Sequence, residues 1–171
     1  MKRRKSLFYC IISILLLLSV MIFIFCMSSQ VAELSSNTSG GFIEGILKLF
    51  YPGFNALSSF KQQSIVDGLQ GIVRKLAHFS IYTLLGMLSF NATYCFSEKK
   101  KFLFPISIAI GVLYSMSDEF HQLFVEGRSG EIRDVCIDSS GVILGVLLMF
   151  SITLLYNHII LKKKIKNERQ S

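Results

Sequence analysis

The chain has 171 residues, is 51% apolar with a mean hydropathy of +0.53, and is only 17% charged, against about 25% in soluble domains. That composition excludes a soluble enzyme and a disordered chain, and the length suits a single domain. The net charge of +7 would suit nucleic acid in a soluble protein, but the placement of the basic residues argues against that partner.

The first apolar run, Leu7 to Met27, follows Met1-Lys-Arg-Arg-Lys5. It is too long for a secretory signal and no A-x-A-like site follows it, so it reads as an uncleaved span over about 6–27. The loop 28–71 comes next. Ser35 to Gly41 is rich in Ser and Gly and is expected to be flexible. Ile43, Ile46, Leu47 and Phe50 then recur at i, i+3, i+4, i+7, which predicts a short helix ended by Pro52-Gly53, lying on the membrane surface or over the bundle mouth. Ile65 to Gln70 suggests a further short helical piece.

Three more apolar runs follow, at about 72–96, 102–124 and 134–161. Each is long enough to cross about 30 Å of hydrocarbon at about 1.5 Å per residue. Backbone groups in lipid must pair internally, so these runs are helices. The expected fold is an all-α, polytopic membrane bundle of about four spans, forming one domain over 1–171.

Lys and Arg set the expected orientation. With the N-terminus inside, the inner segments carry Lys2 to Lys5, Lys99 to Lys101, Lys162 to Lys164, Lys166 and Arg169, against only Glu98 and Glu168. The other side is net acidic. Both termini are therefore expected in the cytoplasm of a cell-membrane protein, and the basic composition needs no nucleic acid.

The ionic residues gather at one depth. Along a helix, His78 stands about 28 Å from Ser97, Asp118 about 26 Å from Lys101, and Asp138 about 35 Å from Leu161. The helical faces agree. Arg74, His78 and Tyr82 share a stripe, with Lys75 and Ser89 close by. Asp118, His121 and Gln122 share another, widened by Glu119. Asp134, Asp138, Gly141 and Gly145 share a third, and Gly141-x-x-x-Gly145 lets another helix approach. Charges at membrane depth are costly and persist when paired or when they line a wet cavity. The expected object is an outward-facing ionic cup of Arg74, His78, Asp118, Glu119, Gln122, Arg128, Asp134 and Asp138. Arg74, Lys75 and Arg128 would neutralise some of Asp118, Glu119, Asp134 and Asp138, and Glu126 to Gly130 would form a flexible rim.

These residues resemble the VanZ-like family of bacterial membrane proteins. The matching strings are Arg74-Lys75-x-x-His78-Phe79-x-x-Tyr82-x-x-Leu85-Gly86 and Ser117-Asp118-Glu119-x-x-Gln122-x-Phe124-x-x-Gly127-Arg128. Asp134, Asp138 and Gly141 follow them, and Ser28-Ser29-Gln30 after the first span also matches. The resemblance implies a small multi-pass protein of the Gram-positive cell envelope, with a role in low-level resistance to teicoplanin and related lipid-tailed glycopeptides.

Residue chemistry leaves several functions to weigh. The cup would bind an envelope ligand: Arg74, Lys75 and Arg128 suit phosphate or carboxylate, and the acids suit amines, sugar hydroxyls or a cation. The candidate partners are membrane lipid, an envelope lipid, a cell-wall precursor or a lipoglycopeptide. The alternative is a membrane-embedded hydrolase or transferase acting on an envelope lipid or glycan, with His78 or His121 as acid or base. Two or more carboxylates plus His could instead hold a divalent metal that activates water, but no HExxH, GxSxG or DxDx-type string appears, and neither cofactor nor metal is assigned. A transporter is a third reading; an oligomer would supply the missing spans, with Gly141 and Gly145 at its interface. The bland reading makes the charges internal salt bridges, Arg74 and Lys75 interfacial anchors, Asp134 a helix cap and His121 a packing residue. The four Cys show no paired spacing and read as free, with a Cys26–Cys136 bridge as the minor alternative.

Overall fold

The computed structural model describes residues 6–97 and 99–168, with side chains except at 100, 161 and 163–168. Lys2 to Lys5, Glu98 and Arg169, used above to orient the chain, lie outside the described residues. Among the described residues five helices follow in order: α1 (Leu7–Ser28), α2 (Ala32–Phe50), α3 (Ser59–Phe96), α4 (Lys100–Gln122) and α5 (Ile132–Glu168), with a single 3-10 turn at Phe54–Ala56 between α2 and α3. No strand occurs among the described residues, and the fold is an all-α polytopic bundle.

Helix α3 is central, packing against α1, α2, α4 and α5. Leu17 and Ile24 of α1, Tyr82, Leu85 and Ala92 of α3 and Val142 of α5 form the middle of the core, with Ile110 and Tyr114 of α4 against it. Beyond them, Phe90, Leu103 and Val146 make a second cluster with Phe104 and Phe150. The outward faces stay apolar: Leu16, Phe23, Leu113, Phe120, Leu147 and Leu155 are all exposed. An apolar face turned outward costs free energy in water and none in hydrocarbon.

Three helices among the described residues are long and apolar enough to cross a membrane: Leu7–Ser28, Lys101–Gln122 and Ile132–Ile160. The remaining expected span, 72–96, belongs to α3 and is not among them. The reason is visible in its packing: Tyr82, Ser89 and Thr93 are buried inside the bundle, so this helix need not be apolar all round.

Helix α3 also starts earlier than the sequence suggested. It runs unbroken from Ser59, absorbing the short piece expected at Ile65 to Gln70. Its first turns form a hairpin with α2, around Ile43, Phe54 and Val66. Ser35 to Gly41, expected to be flexible, is helical. The cause is tertiary: Gln70 Nε2 donates to Ser36 O at 3.4 Å. A Cβ at Gly40 would meet Gln70 Nε2 at 2.9 Å, so small residues here let α2 lie close on α3. Of the expected apolar face of α2, Ile43 and Leu47 pack on α3, while Ile46 and Phe50 stay exposed.

The Gly141-x-x-x-Gly145 groove packs within the chain. A Cβ on Gly145 would stand 2.0 Å from Thr83 O, one on Gly141 2.5 Å from Phe79 O, and one on Gly86 2.2 Å from Val142 O. Helices α3 and α5 therefore touch backbone to backbone. This face is occupied by α3 and is closed to the oligomer interface weighed above.

Candidate functional site

One end of the bundle collects the ionisable side chains from α3, α4, α5 and the α4–α5 loop. A cavity of about 270 Å³ opens there, lined by Arg74, Lys75, His78, Gln122, Arg128, Ser129, Glu131, Asp134 and Asp138, among others. The loop turns sharply at Gly127, whose φ is +74°. Arg128 N–H donates to Val125 O at 3.1 Å, closing a turn with glycine at the position where a type II turn requires positive φ. That turn brings Arg128 back over the helix ends.

Arg128 is clamped by neutral groups. Its Nε donates to Gln30 O at 2.9 Å, one terminal nitrogen to Gln122 Oε1 at 3.3 Å and the other to Met27 O at 3.4 Å. Burial lowers the pKa of its guanidinium from the ordinary value, and the charge of Arg74 acts in the same direction, opposed by Asp118 and Glu119. The group remains charged, as arginine does in proteins.

Asp118 is buried between α1, α3 and α4. Its Oδ2 accepts from Ser28 Oγ at 2.8 Å, Tyr82 OH at 3.1 Å and Gln122 Nε2 at 3.2 Å. A carboxylate near the C-terminal end of α4 runs against the helix dipole, and these three donors offset that. Tyr114 OH donates to Met21 O, a further tie between α4 and α1. Gln122 joins the polar layer, donating also to Glu119 Oε1 at 3.4 Å while accepting from Arg128.

Asp138 is wholly buried. Its nearest ionic neighbour is His78 Nδ1, 3.7 Å from Oδ2, and neither carboxylate oxygen accepts a hydrogen bond among the described residues. His78 stacks on Tyr82 with ring centroids 6.5 Å apart. Asp134, in the first turn of α5, pairs with Lys75 Nζ at 2.8 Å. An acid in that turn also suits the dipole.

Two expectations are corrected. Of the three cations expected to neutralise some of the acids, Lys75 does so, pairing with Asp134, whereas among the described residues Arg74 has no ion pair and Arg128 donates to neutral groups. Hydroxyl and amide groups hold Asp118 instead, and Asp138 has the imidazole of His78 at 3.7 Å. Glu119 does not line the cavity; its Oε2 accepts the backbone N–H of Glu131 at 3.0 Å, satisfying an orphan donor at the start of α5. Asp118 lies behind the wall, reaching the cavity through Gln122. Arg74, His78, Gln122, Arg128, Asp134 and Asp138 do share it.

His121 stands apart, stacked on Phe25 at 4.6 Å with its Nε2 3.1 Å from Ser29 Oγ, so it ties α1 to α4. Cys10, Cys26, Cys95 and Cys136 form no disulfide, so the Cys26–Cys136 bridge is absent. No three His, Cys, Asp or Glu side chains converge as a metal-binding group among the described residues. Gln30 and Glu131 entered the polar layer without being expected in the cup, though Gln30 belongs to the Ser28-Ser29-Gln30 string. Both act largely through backbone atoms, which side-chain patterning does not reveal. Ser28 was signalled only by the Ser28-Ser29-Gln30 string.

Fold and site together define a helical membrane-type protein with one ionic end. The chain belongs to the VanZ/LLP1 family, whose model matches residues 13–156. No curated protein and no solved structure matches it.

Proposed function

We propose that this VanZ/LLP1 protein sits in the cell membrane with both termini cytoplasmic and the ionic end facing outward, where it binds an envelope ligand and lowers sensitivity to teicoplanin-type lipoglycopeptides. Helix α3 serves as the fourth crossing, shielded by its neighbours, and the whole chain acts as one membrane domain. The observation that carries the reading is the convergence of Arg74, His78, Gln122, Arg128, Asp134 and Asp138 on one 270 Å³ cavity. Charged groups at such a depth are expensive unless they serve a wet or ligand-bound site. The excess of Lys at the opposite end supports the orientation. The family supports the drug link.

The test is a susceptibility assay in cells lacking and carrying the protein, with Arg74→Gln beside it. The reading predicts reduced teicoplanin susceptibility with the protein and loss of that effect in the variant. Equal susceptibility with and without the protein contradicts the drug link.

A second reading, a hydrolase or transferase acting on an envelope lipid or glycan, draws on the buried Asp138 beside His78, since a carboxylate on one ring nitrogen orients an imidazole for acid–base work. Mass spectrometry of envelope lipids with and without the protein separates the two. A changed profile favours the enzyme, and an unchanged profile favours the binder.

A further inference from the structure

The ionic cavity adjoins a second hollow of about 390 Å³ between α1, α2 and α3. Its walls include Phe23, Ile24, Met27, Phe42, Val73 and Ile81. Arg74, His78 and Arg128 line both hollows, whereas Glu131, Asp134 and Asp138 line only the first. The junction is therefore cationic. Lys75 is already paired with Asp134. Arg74 makes neither a hydrogen bond nor an ion pair among the described residues, and Arg128 donates only to two carbonyls and an amide. The mutual effect of the two like charges is felt at Arg128, whose proton affinity Arg74 reduces.

An apolar slot with two guanidinium groups at its polar end selects a narrow chemistry. A free anion would gain nothing from the walls. A peptide would need donors and acceptors along its backbone, and most of the slot presents carbon. A neutral lipid would leave the Arg74 guanidinium without a counter-ion. We infer that, at the site proposed above and resting on that reading, the hollow between α1, α2 and α3 seats one chain of a phosphate-headed membrane lipid, with Arg74 and Arg128 holding the phosphate. Guanidinium groups suit phosphate because they can donate two parallel hydrogen bonds to it.

The experiment is native mass spectrometry of the full-length protein in detergent, offered dioleoyl phosphatidic acid, dioleoylglycerol or inorganic phosphate. The expected result is retention of phosphatidic acid at least about tenfold stronger than of dioleoylglycerol, falling by about tenfold in Arg74→Gln, the order set by losing a charge-assisted contact. Ala77→Phe, which fills the slot, reduces retention as well, and millimolar inorganic phosphate does not displace the lipid. Arg74 and Ala77 are exposed, so neither change disturbs the core. Equal retention of the two lipids, unchanged retention in either variant, or displacement by inorganic phosphate overturns the inference. Detergent removes sidedness from the measurement. Lost lipid retention with an intact drug phenotype therefore rejects the lipid alone, whereas intact retention without the phenotype rejects the functional reading alone.

Discussion

Helices α3 and α5 meet twice, in opposite ways. Around Gly86, Gly141 and Gly145 their backbones touch, leaving no room for a methyl group. Within the next two turns, Lys75 and His78 face Asp134 and Asp138 across the edge of a 270 Å³ cavity. Farther along in the other direction the bundle closes on rings: Phe90 lies 6.3 Å from both Phe104 and Phe150, which are themselves 4.9 Å apart. Small residues and aromatics thus zip the pair from the middle to one end, while long polar side chains prop it open at the other. Burial of apolar surface gives lipid-immersed helices little reason to associate, so the close-packed stretch carries the association. The open stretch is freed to hold groups that stability alone would not choose.

The sharpest way to break that contrast is Gly145→Leu. Its Cβ would stand 2.0 Å from Thr83 O, a backbone atom that cannot turn aside. Overpacking of this kind costs at least about 1–3 kcal/mol, and thermal unfolding in detergent should show a large loss of folded protein. Retention of the wild-type unfolding temperature would mean that α3 and α5 do not meet as described.

Asp118→Ala should also be strongly destabilising. It strands Ser28 Oγ, Tyr82 OH and Gln122 Nε2 at once, and hydrogen bonds to a charged group contribute about 1.5–3 kcal/mol each before the remaining partners relax. Tyr82→Phe removes one of these bonds in a fully buried setting, so its loss should be the smaller of the two by the same unfolding assay. A tyrosine variant more damaging than the aspartate variant would point to a different partner for Asp118.

Asp138→Asn probes the open end and should leave stability unchanged or improve it. Removing a buried charge whose oxygens accept no hydrogen bond relieves desolvation, and groups kept against stability are the usual mark of function. The expected outcome is an unchanged or higher unfolding temperature together with loss of the drug phenotype. Arg74→Gln should move stability least, within about 0.5 kcal/mol for an exposed residue without partners, while also abolishing the phenotype.

Much of this contrast was legible beforehand. Period and depth placed Arg74, His78, Asp134 and Asp138 on converging faces, because a continuous helix fixes both rotation and rise. The Gly141–Gly145 groove was legible for the same reason, though not its partner, since an i, i+4 pair of glycines says only that something comes close. Segments governed by tertiary contact were not legible. Ser35 to Gly41 has the composition of a loop and becomes helical because α3 lies against it. The pairing of charges was also hidden. Sequence counts cations and acids, but the turn at Gly127 aims Arg128 at the carbonyls of Met27 and Gln30, and Glu119 is drawn away by the N-terminus of α5.

The central claim is that the propped-open end faces outward. Ser129, in the α4–α5 loop and on the cavity wall, can be replaced by cysteine in a protein whose own Cys10, Cys26, Cys95 and Cys136 have been changed to alanine. Intact cells are then treated with a membrane-impermeant maleimide. Modification of the Ser129→Cys protein before any permeabilisation is the predicted result; modification only after the membrane is opened would place the cavity in the cytoplasm and contradict the account.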